Sequence, residues 1–127
     1  MKSRIIVGVL LIMGGFSVGS GATGLRTWTQ VNFTDPVLVA GRFVMGPTLI
    51  VHDEEKMARG EACTTFYRVD PARGQQEAIV SFHCTPVQRE VAATTRLTLS
   101  QTPLIGCKRL VEYQIAGDSE AHGVPIE

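Results

Sequence analysis

Three histidines and three cysteines carry most of the chemistry open to this chain of 127 residues. His52 opens the acidic loop His52-Asp53-Glu54-Glu55, and His122 lies in the tail with Asp118 and Glu120 just before it. Imidazole and carboxylate donors together suit zinc or copper. The candidate metal ligands are therefore His52, Asp53, Asp118, Glu120 and His122, with copper or zinc as the candidate cofactor. The spacing does not enforce such a site, because there is no His-x-x-x-His and no Cys-x-x-Cys. Solvated loops with surface histidines and acids are the competing reading, with no cofactor at all. A blue-copper site needs a late cysteine, a histidine and a weak axial ligand close together. Cys107 is followed only by His122, and no methionine follows Met57, so that pattern fails. Covalent haem fails for want of Cys-x-x-Cys-His.

Catalytic patterns are equally scarce. Gly15-Phe16-Ser17-Val18-Gly19 has the letters of a nucleophile elbow but lies in an apolar leader, not at a strand-to-helix turn. Cys84 and His83 are neighbours on an extended segment, where adjacent side chains point to opposite faces, so they do not form a working pair. Glu54 and Glu55 sit in a polar loop with nothing in the sequence to raise the pKa of either. The chain is expected not to be an enzyme.

The start of the chain bears on the cysteines. Met1-Lys2-Ser3-Arg4 is basic, Ile5 to Phe16 is apolar, and Ser20-Gly21-Ala22 offers small residues for cleavage. That order is a secretory signal peptide over residues 1–22. Its apolar run is short of the roughly 20 residues a spanning helix needs. The expectation is one exported domain over residues 23–127, periplasmic or extracellular, with no membrane span after cleavage. Lys2 and Arg4 leave with the leader, so 12 basic residues become 10 against 12 acidic ones, a net charge of −2. Nothing there favours nucleic acid, which wants a basic face. An oxidising compartment permits disulfides. With three cysteines, at most one intramolecular bridge forms and one thiol is left over, free or bridged to another chain.

The elements that must position these groups read as strands. Val, Ile, Thr, Phe and Tyr are interrupted often by turn residues, an all-β pattern. The expected strands are Thr27 to Phe33, closed by Asp35-Pro36; Val37 to Val44; Thr48 to His52; Cys63 to Val69; Ala78 to Cys84; Val91 to Leu99; and Cys107 to Ile115. Glu54 to Arg59 is expected to form one helical turn, and the tail from Gly117 is expected to be irregular. About seven strands suit an antiparallel β-sandwich, immunoglobulin-like, or a small barrel. A hairpin turning near Arg73 would pair Val69 with Ala78, Tyr67 with Val80, Thr65 with Phe82 and Cys63 with Cys84. Directly opposed residues lie about 4.5–5.5 Å apart at Cα, within the range of a disulfide. A Cys63–Cys84 bridge is therefore expected. A second hairpin over Gln101 to Gly106 would pair Leu99 with Cys107, Leu97 with Arg109 and Ala93 with Tyr113, leaving Cys107 a free, half-covered thiol. Phe66 and Tyr67 would put an aromatic on each face of the first hairpin, so that hairpin is either central or bears a binding surface.

The pieces Val39-Ala40-Gly41-Arg42-Phe43, Val51-His52-Asp53, Lys56-Met57-Ala58-Arg59-Gly60-Glu61, Cys63-Thr64-Thr65-Phe66-Tyr67 and Phe82-His83-Cys84-x-Pro86 belong together. With the tail from Glu112-Tyr113-Gln114 to His122-Gly123-Val124-Pro125, they resemble small exported β-proteins of environmental bacteria that carry no assigned activity. The resemblance implies an exported β-domain and neither a reaction nor a ligand. The expected function is a binding or interaction module for a protein or small-molecule partner or, as a homo-oligomer, a second copy of the chain. The alternative is a metal-binding (copper or zinc) or redox protein using the loop histidines and a cysteine.

Overall fold

A computed structural model describes residues 4–8, 17–20 and 25–127 of the chain. It is nearly all β. In chain order the elements are β1 (Arg4–Gly8), β2 (Ser17–Ser20), β3 (Leu25–Val39), β4 (Arg42–Asp53), α1 (Glu54–Ala58), β5 (Thr64–Asp70), β6 (Gln75–Phe82), β7 (Thr85–Gln88), β8 (Arg96–Gln101), β9 (Lys108–Gln114) and β10 (Glu120–Gly123). They form one sheet in the order β1-β8-β9-β3-β4-β5-β6, with β10 bridging β9 and β7 and β2 laid on β3. The β3–β9 pairing is parallel and the other pairings are antiparallel. The sheet curls into a half-barrel, nearer the small barrel than the sandwich among the expected all-β forms. The leader expected at 1–22 lies largely outside the described residues, and so does its cut. Its described parts pair as strands, β1 along β8 and β2 along β3.

Curling has a local cause. A bulge kinks one strand and increases its twist, and register shifts occur between Phe33 and Val37, between Phe66 and Tyr67, and between Thr98 and Leu99. Asp35-Pro36 therefore does not close a strand. It marks the first irregularity inside one long β3, since proline is tolerated where a ladder hydrogen bond is already missing. The chain reverses instead at Ala40-Gly41, with φ of 47° and 86°, between the paired residues Val39 and Arg42. Two central residues with positive φ make the tight turn whose twist matches the flanking strands.

Both hairpin registers differ from those expected. In the first, Thr64 faces Phe82, Phe66 faces Val80 and Tyr67 faces Ala78. The turn is tighter than a midpoint at Arg73 allows: Gly74 N–H and Arg73 N–H both donate to Asp70 O, at 2.7 and 3.2 Å. In the second, Leu99 faces Leu110 and Leu97 faces Tyr113. Thr102 Oγ1 donates to Cys107 O at 2.8 Å and accepts from Leu104 N–H at 3.1 Å, which holds residues 102–107 as a wide loop. The expected strand from Val91 to Leu99 is instead an irregular stretch over residues 91–95 followed by β8.

The concave face holds the core: Val31, Phe33, Val39, Val44, Ile50, Phe66, Leu97, Leu110, Tyr113 and Ile115 among others. Phe66 is fully buried, edge-on to Tyr113 and tilted against Phe82. The first hairpin is thus central, with Tyr67 half-buried on its other face. Thr64 Oγ1 and Tyr113 OH are hydrogen-bonded, tying β5 to β9 across one end of the half-barrel.

Candidate functional site

That end of the half-barrel gathers the chemistry. Along β4 the inward positions alternate as Val44, Thr48, Ile50 and His52. His52 is thus the last core position of a strand and not the first residue of a loop, and it is 1% exposed. Asp53 then caps α1, accepting from Glu55 N–H and Lys56 N–H at 3.0 and 3.1 Å. The acids of the first helical turn suit its positive end.

The tail expected to be irregular supplies β10, which carries His122 opposite Tyr113 on β9. Local hydrogen bonds hold it there. Gln114 Nε2 donates to Glu90 O and to Asp118 O, both at 2.8 Å. Gly117, at φ 87°, turns the chain, and Asp118 Oδ1 accepts from Glu120 N–H at 3.1 Å. A four-residue strand flanked by polar residues has too little apolar alternation to be seen in sequence.

His52 and His122 stack with ring centroids 3.9 Å apart, and Tyr113 lies 5.0 Å from His122 on its other side. Both imidazoles are essentially buried. The Nε2 atom of each has no hydrogen-bond partner among the described residues. Leaving a buried polar atom unpaired costs about 1–3 kcal/mol, and native proteins rarely tolerate two side by side. Burial depresses both pKa values. For His52 the charges of Asp118 and Asp53 partly oppose it. For His122 the neighbouring His52 adds to it, and the value falls to about 3. Both rings are therefore neutral near pH 7, the form in which imidazole binds a metal.

Against this pair sits the cysteine pair. Cys63 and Cys84 are joined as a disulfide, with Cα atoms 6.4 Å apart, as expected. They are not a ladder pair: β5 begins after Cys63 and β6 ends before Cys84. Cys63 N–H donates to Phe82 O at 3.1 Å and Cys84 N–H to Cys63 Sγ at 3.2 Å. Cys84 Sγ lies 3.6 Å from His122 Nδ1 and 4.0 Å from the Sδ of Met57 on α1. Donor atoms of His52, Cys63 and Cys84 all fall within 4.8 Å of one another.

Of the expected ligands, His52 and His122 come together at the centre, while the acids form a rim. Glu54 Oε2 is 3.8 Å from His52 Nδ1. Burial raises the Glu54 carboxyl, and so do the Glu120 and Asp118 charges and a hydrogen bond shared with Glu120. A carboxyl pair with one raised pKa thus exists, but it is Glu54 with Glu120, not Glu54 with Glu55. Asp53 is committed to capping α1, and Asp118 to the turn. His83 is exposed and outside the cluster. Cys107 is a buried free thiol, 8% exposed, whose Sγ contacts Lys108 O at 3.7 Å. It immediately precedes β9, at the end away from Tyr113, and is shielded as a small hydrophobe. Sequence reasoning missed Met57, Thr64 and Tyr113 here. The only sequence signal for Met57 is its place five residues after His52.

Far from the histidines, a cleft of about 700 Å³ opens between β3 and β8. Val31, Phe33, Val37, Leu97 and Leu99 line it, with Leu104 and Ile105 at its rim. Leu104 is 54% exposed and Ile105 fully exposed. No helix among the described residues is long and apolar enough to cross a membrane. No protein-family model, curated protein or solved structure matches this chain.

Proposed function

We propose that this protein is an exported, redox-conditional binder of a thiophilic metal ion, held by Cys63, Cys84, His52 and His122. The observation that carries the reading is the stacked pair of buried, neutral imidazoles with unpartnered Nε2 atoms, set against a cysteine pair. Two thiolates and two neutral imidazoles make a closed four-donor site of a kind that suits zinc or copper. The acids Glu54, Asp118 and Glu120 rim it and favour a cation over an anion. In the disulfide form the sulfur donors are lost and the ion has only the histidines. Conversion is a two-electron step. The Cys63 and Cys84 thiolates attack a disulfide oxidant, their S–S bond forms, the oxidant's S–S bond breaks, and it leaves as two thiols after taking two protons from water. An oxidising compartment keeps the pair as the disulfide, so the ion is taken up only where a reductant opens it.

The test is native mass spectrometry of the chain with and without reductant, with added zinc or copper(I). The expected result is a mass two hydrogens lower and no ion without reductant, and one ion per chain with it. His52→Ala with His122→Ala should abolish that adduct. An unchanged adduct in the double variant would refute the reading.

A second reading rests on the apolar cleft, which suits a small apolar ligand or a partner's apolar side chains. It predicts that Leu104→Asp with Ile105→Asp removes binding of an apolar fluorescent probe such as anilinonaphthalene sulfonate. Undiminished probe fluorescence would dismiss it.

A further inference from the structure

The metal site proposed above has a fifth donor that its charge does not require. Two thiolates already balance a divalent ion, and two imidazoles complete four-coordination. Met57 nevertheless places its thioether 4.0 Å from Cys84 Sγ. Donors bound to one ion at about 2.3 Å in tetrahedral geometry lie about 3.8 Å apart. The separations from Cys84 Sγ, 3.6 Å to His122 Nδ1 and 4.0 Å to Met57 Sδ, both match that figure. Met57 is half-buried and carried on α1, which Asp53 caps immediately after His52. The side chain is thus delivered to the site by the same short segment that delivers the histidine.

A thioether is a soft, neutral donor. Zinc, borderline in character, gains little from it, while copper(I) is selected by thiolate and thioether together. Resting on the metal-site reading, we infer that Met57 is the specificity ligand and that the ion is copper(I). The coordination is Cys63, Cys84 and Met57 sulfur completed by imidazole nitrogen. Copper(I) also has no need of the rim carboxylates, which are hard donors, and that agrees with Asp53 and Asp118 being engaged elsewhere.

The experiment uses the full chain, reduced with a phosphine and kept anaerobic. Copper(I) affinity is read by competition with bicinchoninate, and zinc affinity by competition with a chromogenic zinc chelator. Met57→Leu keeps size and apolarity and removes the sulfur. The expected result is at least a tenfold loss of copper(I) affinity with zinc affinity unchanged. An equal loss for both ions, or no loss for copper(I), overturns the role of Met57 and leaves the metal site standing. Wild-type protein that binds neither ion overturns both. X-ray absorption at the copper edge of the wild-type complex checks the same point without a variant: three sulfurs in the first shell support the inference, and two refute it.

Discussion

At the scale of residues, the two histidines set how this protein responds to acid. Their native pKa values lie below the usual 6.5, mainly through burial. A group depressed in the folded state contributes stability fully above its unfolded pKa and loses it as pH falls through and below that value. In the metal-free disulfide form, stability should fall from about pH 6.5 downward, by up to about 1.4 kcal/mol per pH unit for each histidine. The groups facing His52 are Asp53, Asp118 and Glu54. Glu54, whose carboxyl is raised, works in the opposite sense and flattens the slope at lower pH. Urea midpoints at pH 8, 6 and 5 should drop for the wild type and drop less steeply for His122→Gln, and parallel curves would show that His122 does not titrate this way. The Thr64–Tyr113 bond gives a second residue-scale prediction. Tyr113→Phe leaves the fully buried Thr64 hydroxyl without its partner, and should cost about 1–3 kcal/mol, read as a lowered urea midpoint.

Elements decide where those residues stand. The β3–β4 hairpin needs positive φ at both Ala40 and Gly41, and a Cβ at residue 41 would meet Glu127 Cβ at 3.4 Å. Gly41→Ala should therefore cost about 1–2 kcal/mol, since a left-handed conformation costs that much for an L-residue. An unchanged thermal midpoint would show that the turn relaxes. α1 is only five residues long and depends on its cap. Asp53→Ala should cost about 1 kcal/mol and should reduce copper(I) affinity in the same direction as Met57→Leu, because the thioether rides on that helix. Element identity was legible wherever period-2 patterning was long. β4, β5, β6 and β9 and the helical turn after His52 were all anticipated in place if not to the residue. β7 and β10 were not, being four residues each, with little apolar content. Registers were misplaced chiefly at the turns, where Asp70 faces Gln75 and Gln101 faces Lys108, and the bulges at Phe66–Tyr67 and Thr98–Leu99 add a shift of one that nothing in local composition marks.

For the whole molecule, the disulfide and the proposed ion act on the same equilibrium. Reducing Cys63–Cys84 releases a loop spanning 21 residues of sequence separation, and the chain-entropy account puts the loss at about 3 kcal/mol. Ligand that binds only the folded reduced chain returns stability by mass action, about 2.7 kcal/mol at a hundredfold excess over Kd. The thermal midpoint should therefore fall on reduction and recover when copper(I) is added. That cycle needs the half-barrel to close. Among the described residues, the β3–β4, β3–β9 and β9–β10 pairings bring residue 122 to residue 52, 70 positions apart in the chain. The composition and turn frequency of the chain were enough by themselves to determine an all-β protein, because strand propensity and alternation are local properties; the Cys63–Cys84 contact was anticipated, but through a register that the structure does not keep. Tertiary structure alone decided that His52 and His122 stack, that Met57 joins the cysteines and that Glu54 pairs with Glu120. These are contacts between segments remote in sequence, fixed by sheet curl and bulges that no local pattern encodes.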